Sequence, residues 1–456
     1  MKQRTLSHMA AMLVGLIGLF ASSACALITY SPYGNQPKTE STTPTRADLH
    51  VDERQKSDGM FVGLAISGGG SRSAIFATSA MLELKKQGLL RQVDVMSSVS
   101  GGSLPAAYYA LEGYKGIRFD ETDALKRMTL DFQARWLARW FLPQNIARYW
   151  FSDLTRSDIM VQVFDSNLFH DATFANLNPE RPKLLINSTD SGRFSLFTFS
   201  NQTFDEQLYS NLSTYSVARA VNVSSAFPGA FHRVPLENFN PRRAPSEAKF
   251  RHLYDGGPTD NLGISTLIQV LLQEVCGSKS TAPQYTQQAL HKKLVEKTES
   301  ACDSQTNPIP VNTLFPQGCL IISLDATPRE DDEDGHRAQN RSVTDYFIDS
   351  NFLNATDVML LSIRREVLEN VGLSRSRQDK ARFSKFSFDG GQSHCHFWHV
   401  ALRHFQEDDR AARIGTNFGL ETWEQDLLTT AGTAIVREGL GARDIPEILS
   451  RMAKTP

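Results

Sequence analysis

The chain has no surplus of basic charge: 48 lysines and arginines stand against 50 aspartates and glutamates, a formal net charge of −2 at pH 7. Without extra cations to neutralise phosphates, a nucleic-acid partner is disfavoured. No internal run approaches the roughly 20 apolar residues that a helix needs to cross a bilayer. No Gly-Lys-Ser/Thr triplet follows any glycine-rich stretch, which excludes a P-loop. Cysteine is sparse, with five in 456 residues, and neither a low-complexity tract nor an internal repeat is evident. What remains is the composition of a globular protein, long enough to bury a large core and to hold two or three domains.

The N-terminus differs from the rest. Lys2 and Arg4 precede an apolar stretch from Met9 to Phe20, and Ala21-Ser22-Ser23-Ala24-Cys25 follows. A charged n-region, an apolar h-region and small residues at a cleavage site make residues 1–24 an expected export signal. Its ending is similar to a bacterial lipoprotein signal, which implies that Cys25 is acylated and becomes the mature N-terminus. Ser22 departs from that pattern, which usually has Leu there. Each buried CH2 contributes about 0.8 kcal/mol, so several acyl chains on Cys25 would hold the protein on a membrane. With Ala26 offering no obvious inner-membrane retention signal, the expectation is an outer-membrane lipoprotein of the cell envelope. Cleavage after Ala24 or Ala26, giving a soluble periplasmic or secreted protein, is the alternative. Residues 25–58, rich in Ser, Thr, Pro and charge, read as a flexible tether.

Export permits disulfides, and four cysteines besides Cys25 allow three pairings. Cys276 and Cys302 bracket a polar stretch, which favours that pair and leaves Cys319 with Cys395. Four free buried thiols are the competing reading.

Phe61–Ile66 is a continuous apolar run that suits a strand buried on both faces. A helix is expected over Arg72–Gln87, with Gly88 placed to end it, then a strand over Val93–Val99 and a second helix over Ser103–Glu112. Strand, helix, strand, helix at this spacing predicts an α/β fold with a largely parallel central sheet and helices on both faces. Lys183–Ile186, Phe194–Phe199, Leu320–Leu324 and Phe397–Leu402 are further strand candidates, and Glu421–Arg437 has helical periodicity. Residues 130–154 interleave Trp136, Trp140, Phe141, Tyr149, Trp150 and Phe151 with Arg135, Arg139 and Arg148. An amphipathic stretch of this kind suits a lipid interface. Aromatics at helical spacing are more often core, however, and packing beneath a helical cap is the favoured expectation.

Three constellations carry chemistry. Gly68-Gly69-Gly70-Ser71-Arg72 lies between a buried strand and a helix, where unobstructed N–H groups and the helix N-terminus suit a developing oxyanion. A dinucleotide fingerprint fails there, because Ser73 takes the last glycine position and no acidic residue ends the next strand. Ser98-Val99-Ser100-Gly101-Gly102 follows the second strand and is close to the G-x-S-x-G elbow, with Ser98 replacing the first glycine. Such an elbow projects a strained serine hydroxyl, here Ser100. Tyr254-Asp255-Gly256-Gly257 places an acid at the head of a Gly-Gly turn.

In this order and at this spacing, the three motifs resemble the patatin-like phospholipase family. Ser224–Gly229 is similar to the family's segment ahead of its aspartate, and Asn187–Asp190 with Phe194–Phe199 to its central strand pair. Residues 397–436 are similar to its C-terminal strand and helix. The resemblance implies a three-layer catalytic domain over 59–456, with a helical cap over about 113–180 and a polar insertion over about 277–312. It also implies a Ser–Asp dyad acting on a lipid or phospholipid ester through an acyl-enzyme, without cofactor or metal. Ser100 would be the nucleophile and Asp255 the base. Gly68, Gly69, Gly70 and Arg72 would form the oxyanion site, while Ser98, Gly101, Gly102, Gly256 and Gly257 support the two turns. Acyl transfer to an alcohol by the same dyad is one alternative, and a catalytically weak lipid-binding surface lipoprotein is another. A Ser–His–Asp triad is a rival mechanism, but His291, His336, His394, His396, His399 and His404 sit in no recognisable motif.

Overall fold

Met60–Ile66 (β2) is buried along its whole length, and its side chains divide by parity. Met60, Val62, Leu64 and Ile66 join one hydrophobic cluster, and Phe61 and Ala65 join a second on the opposite face. A strand with apolar residues in both registers must be covered on both sides, so the sheet lies between two helical layers. The computed structural model describes residues 34–39, 44–276, 309–328, 350–374, 382–387 and 395–441.

Besides β2 and a two-residue strand Gln36–Pro37 (β1), the strands are Val95–Val99 (β3), Lys183–Asp190 (β4), Ser195–Phe199 (β5) and Ser210–Asn211 (β6). Val234–Glu237 (β7), Phe250–Asp255 (β8), Gly318–Asp325 (β9), Phe383–Phe386 (β10) and Cys395–Ala401 (β11) complete the set. The nine-stranded sheet runs β10-β11-β9-β2-β3-β4-β8-β7, with β5 paired to β4. From β11 to β4 every pairing is parallel, and the remaining pairings are antiparallel. The expected α/β architecture with a largely parallel sheet is what the chain adopts.

The helices that matter for the site are Gly70–Lys86 (α1), Ser103–Ala110 (α2), Phe132–Trp140 (α3), Pro143–Phe151 (α4) and Arg156–Phe164 (α5). They are followed by Val217–Ser224 (α6), Gly257–Asp260 (α7), Ile264–Cys276 (α8), Ser350–Asn370 (α9) and Thr422–Leu440 (α10). Helix α1 shares the first cluster with α10 through Ile75, Phe76, Ala80, Leu428, Ala431 and Ile435. Small side chains let the two approach closely, and Ser79 Oγ donates to the Thr429 carbonyl at 2.5 Å. On the other face, Leu267, Ile268 and Leu271 of α8 pack with Val367 and Leu368 at the end of α9.

Two expectations are corrected here. Residues 34–39 and 44–58 of the anticipated tether belong to the folded body. Strand β1 pairs with β6, and Ala47, Leu49 and Val51 are buried. Lys183 Nζ forms an ion pair with Asp52 at 2.7 Å, and the Arg46 carbonyl accepts from Leu184 N–H. Three apolar residues in a polar context suffice to fasten the segment across the sheet. The second correction concerns the aromatic stretch, which is not core throughout: Phe141, Trp150 and Phe151 are 69%, 74% and 75% exposed. The export signal, Cys25 and most of the polar insertion lie outside the described residues. Among the described residues, no helix is long and apolar enough to cross a membrane.

Cys319 and Cys395 stand opposite each other on neighbouring parallel strands and are disulfide-bonded. The other expected pair includes Cys302, which lies outside the described residues. A bridge closing 76 residues removes considerable freedom from the unfolded chain. A Cys319→Ala/Cys395→Ala variant should lose about 2–5 kcal/mol of unfolding free energy, read from denaturant midpoints under non-reducing conditions.

Candidate active site

The site is created by how β4 is shared. Along Ile186–Asp190 one edge of β4 pairs with β5. Its other edge takes two strands in tandem: parallel β3 against Lys183–Asn187, then antiparallel β8 against Ser188–Asp190. Because β3 and β8 run toward each other along one edge, their C-terminal ends meet. Val99 is registered with Asn187, and Asp255 with Ser188. Ser100 therefore enters the gap directly opposite Asp255.

Ser100 turns there with φ of 50°, in the left-handed region that a non-glycine residue occupies only under strain, at a cost of about 1–3 kcal/mol. Its Oγ donates to Asp255 Oδ2 at 2.8 Å. The other carboxylate oxygen, Oδ1, accepts from Gly257 N–H at 2.8 Å, so the first turn of α7 fixes the carboxylate. Both residues are buried. Burial pushes the Asp255 carboxyl up to about 6, against the opposing hydrogen bonds from Gly257 and Ser100.

Ser224, at the end of α6, holds both turns at once. Its Oγ accepts from Ser100 N–H at 2.8 Å and donates to the Asn187 carbonyl at 2.5 Å. Its own carbonyl accepts from Gly256 N–H at 3.2 Å, and the Ala226 carbonyl accepts from Asp255 N–H at 3.1 Å. The sequence showed the Ser224–Gly229 segment without revealing this role. The same holds for Asn187, whose Nδ2 donates to Ser97 Oγ and whose Oδ1 accepts from Thr198 and Thr266.

The glycine loop lies against the elbow. A Cβ on Gly101 would sit 2.1 Å from the Gly70 carbonyl oxygen, so the elbow tolerates no side chain there. Gly70 has φ of 58°, and a Cβ on it would lie 2.4 Å from the Asn417 carbonyl oxygen, which accepts from Ser71 N–H at 2.7 Å. Gly69 and Gly70 N–H groups have no protein acceptor among the described residues. Gly68 differs from the expected oxyanion donor: its N–H is committed to the Asn261 carbonyl at 2.9 Å. A Cβ on it would lie 3.2 Å from Ser100 Cβ, so its small size, not its N–H, serves the elbow.

Arg72 also differs from expectation. Its side chain, 2% exposed, donates from Nε to the Ala326 carbonyl and from Nη1 to the Ile414 carbonyl, both at 2.7 Å. Two of its three nitrogens are thereby committed to backbone carbonyls, and the guanidinium braces the loop from within the protein. The two serines that replace motif glycines are accommodated: Ser73 Oγ donates to the Ser67 carbonyl at 2.6 Å, and Ser98 Oγ to the Leu185 carbonyl at 3.4 Å.

No described histidine reaches Ser100. His399 pairs through Nε2 with Asp325 at 2.9 Å, and Arg364 joins the same carboxylate at 2.8 Å. Asp325 and His399 lie on β9 and β11 and Arg364 on α9, with β2 between those two strands and β3.

Ser224→Ala would leave the buried Ser100 N–H without its acceptor. The expected loss is about 1–3 kcal/mol of stability, measured by denaturant unfolding. A change within a few tenths of a kcal/mol would show that Ser224 does not hold the elbow.

The family model for patatin-like phospholipases matches residues 64–268. No curated protein matches the chain. Among solved structures, human GIVD cytosolic phospholipase A2 is similar at 14% identity and a TM-score of 0.49, covering 87% of this chain and 61% of that one. VipD from Legionella pneumophila is similar at 13% identity and a TM-score of 0.35, covering 89% and 72%. The chain thus spans about three fifths of the human structure's length. Residues 64–268, which carry the glycine loop, the serine elbow and the Asp-Gly-Gly turn, are a patatin-like phospholipase domain.

Proposed function

We propose that the chain is a serine lipid acyl hydrolase of the phospholipase A or lysophospholipase type, working through a Ser100–Asp255 dyad. The observation that carries this reading is the 2.8 Å hydrogen bond from Ser100 Oγ to Asp255 Oδ2 in a strained elbow. In the acylation step, Ser100 Oγ attacks the ester carbonyl carbon while its proton passes to Asp255. The N–H groups of Gly69 and Gly70, which have no acceptor among the described residues, receive the charge that develops on the carbonyl oxygen. Collapse breaks the bond to the leaving alkoxide, which takes the proton back from Asp255. Water then attacks the acyl-enzyme with Asp255 again accepting a proton, and the fatty acid leaves as Ser100 is regenerated. An ordinary aspartate is a weak base for this work, and burial moves Asp255 toward the useful range.

The N-terminal pattern supports export and acylation of Cys25, which would set the enzyme on the membrane that holds its substrate. Cys25→Ser should abolish incorporation of labelled fatty acid into the protein. Retention of label would overturn the lipoprotein reading.

Ser100→Ala and Asp255→Asn should each lower kcat/KM toward a labelled phospholipid by at least about a thousandfold. Asp255 must be deprotonated to accept the serine proton, so kcat/KM should rise with pH through about 6 and fall about tenfold per unit below it. A flat profile between pH 5 and 8, or full activity in either variant, contradicts the dyad.

A further inference from the structure

Helices α3 and α4 form a hairpin whose outer side is apolar. Leu137 of α3 and Phe141 just past its end stand one turn apart, and Leu142 at the start of α4, Ile146 and Trp150 recur every four residues, with Phe151 beside them. All six are exposed. Soluble surfaces seldom carry so many large apolar side chains together, and such a patch marks an interaction site.

The patch is held in place. Phe164 and Phe418 make ring contact, as do Phe418 and Phe231, Phe231 and Trp136, and Trp136 and Trp140. The series continues through Tyr149 to the exposed Trp150. An aromatic ladder therefore runs from the core to the tip. At the base, Phe132 and Gln133 N–H donate to the Phe418 carbonyl, one residue from the Asn417 that holds the glycine loop.

Charge narrows the partner. From Phe132 to Ser152 there are three arginines, Arg135, Arg139 and Arg148, and no acidic residue, in a chain whose net charge is −2. Arg135 donates to Asn167 Oδ1 and Arg139 to Ser166 Oγ, so both are anchored beside the patch. A second copy docking hairpin on hairpin would bring the same three cations against each other, with no acidic residue between Phe132 and Ser152 to pair with them. Tryptophan and tyrosine beside arginine suit the headgroup layer of a bilayer, where rings bury their apolar bodies and cations meet anionic phosphates.

We propose that the α3–α4 hairpin docks on an anionic lipid bilayer surface, with Phe141, Trp150 and Phe151 inserted at the headgroup boundary. What docking delivers, a lipid ester to Ser100, rests on the hydrolase reading. Docking itself does not.

The test uses the expected mature chain, residues 25–456, carrying Cys25→Ser, so that neither the apolar signal stretch nor an acyl group contributes. It is sedimented with vesicles of phosphatidylcholine alone or with phosphatidylglycerol. Binding to the anionic vesicles is expected, weakening as salt is raised. A Phe141→Asp/Trp150→Asp/Phe151→Asp variant should bind at least about tenfold more weakly while keeping turnover of a monomeric short-chain ester. An Arg135→Gln/Arg139→Gln/Arg148→Gln variant should lose the preference for phosphatidylglycerol. Equal vesicle binding by the aspartate variant would overturn the proposal. So would a dimer that the aspartate substitutions dissociate while the parent ignores vesicles. Vesicle binding without ester turnover in the parent would instead sink the hydrolase reading and leave the docking surface standing.

Discussion

The meeting of β3 and β8, end to end on a single edge of β4, is the constraint on which the site depends. It converts two strands separated by more than 150 residues into one continuous edge, with Ser100 and Asp255 hydrogen-bonded at the join. Such a join leaves polar backbone groups exposed inside the protein, and they must be satisfied there. Asn187 and Ser224 do this together. Asn187 binds side chains from β3, β5 and α8, and its carbonyl accepts from Ser224, which in turn accepts from the strained Ser100 N–H. A fully satisfied buried network fixes geometry more sharply than apolar packing does. The strain at Ser100 persists because the surroundings over-determine it.

Two buried aspartates show how the fold separates chemistry from scaffolding. Burial works against the charge of both Asp255 and Asp325. Asp325 also faces the Arg364 guanidinium and His399, which together hold its carboxyl well below the usual carboxylate range. It is a fixed anion tying β9, β11 and α9. Asp255 is opposed only by hydrogen bonds from Gly257 and Ser100, and it sits near 6. His399 is committed to the scaffold pair with Asp325. In the proposed dyad, desolvation would do for Asp255 what an imidazole does elsewhere.

Much of this was legible in the sequence because burial on both faces leaves an unmistakable apolar run, as in Phe61–Ile66 and Leu320–Leu324, and because small residues cluster where backbones touch. Strand β8 escaped notice because two of its three buried positions carry the charged Arg251 and Asp255, so its alternation is not one of apolar and polar residues. Arg72 shows a different limit. Proximity to the glycine loop in sequence does not fix where a long side chain points, and here it turns inward to two carbonyls. The aromatic hairpin was ambiguous for a related reason. Spacing identifies which residues share a helix face, but not whether that face meets protein or solvent.

The proposed dyad lies within residues 64–268, yet the glycine loop proposed to receive the oxyanion is held from outside them. Ala326 and Ile414 receive the Arg72 guanidinium, and Asn417 receives Ser71 N–H and packs against Gly70. A loop with two glycines at positive φ has little stiffness of its own. Its N–H groups can be aimed in advance of charge development only if such contacts restrain it. The segment that supplies one of them, Asn417–Phe418, also bears the first turn of α3. The same few residues therefore tie the oxyanion loop to the exposed aromatic hairpin, so the orientation of one is set relative to the other by backbone hydrogen bonds, not by long side chains.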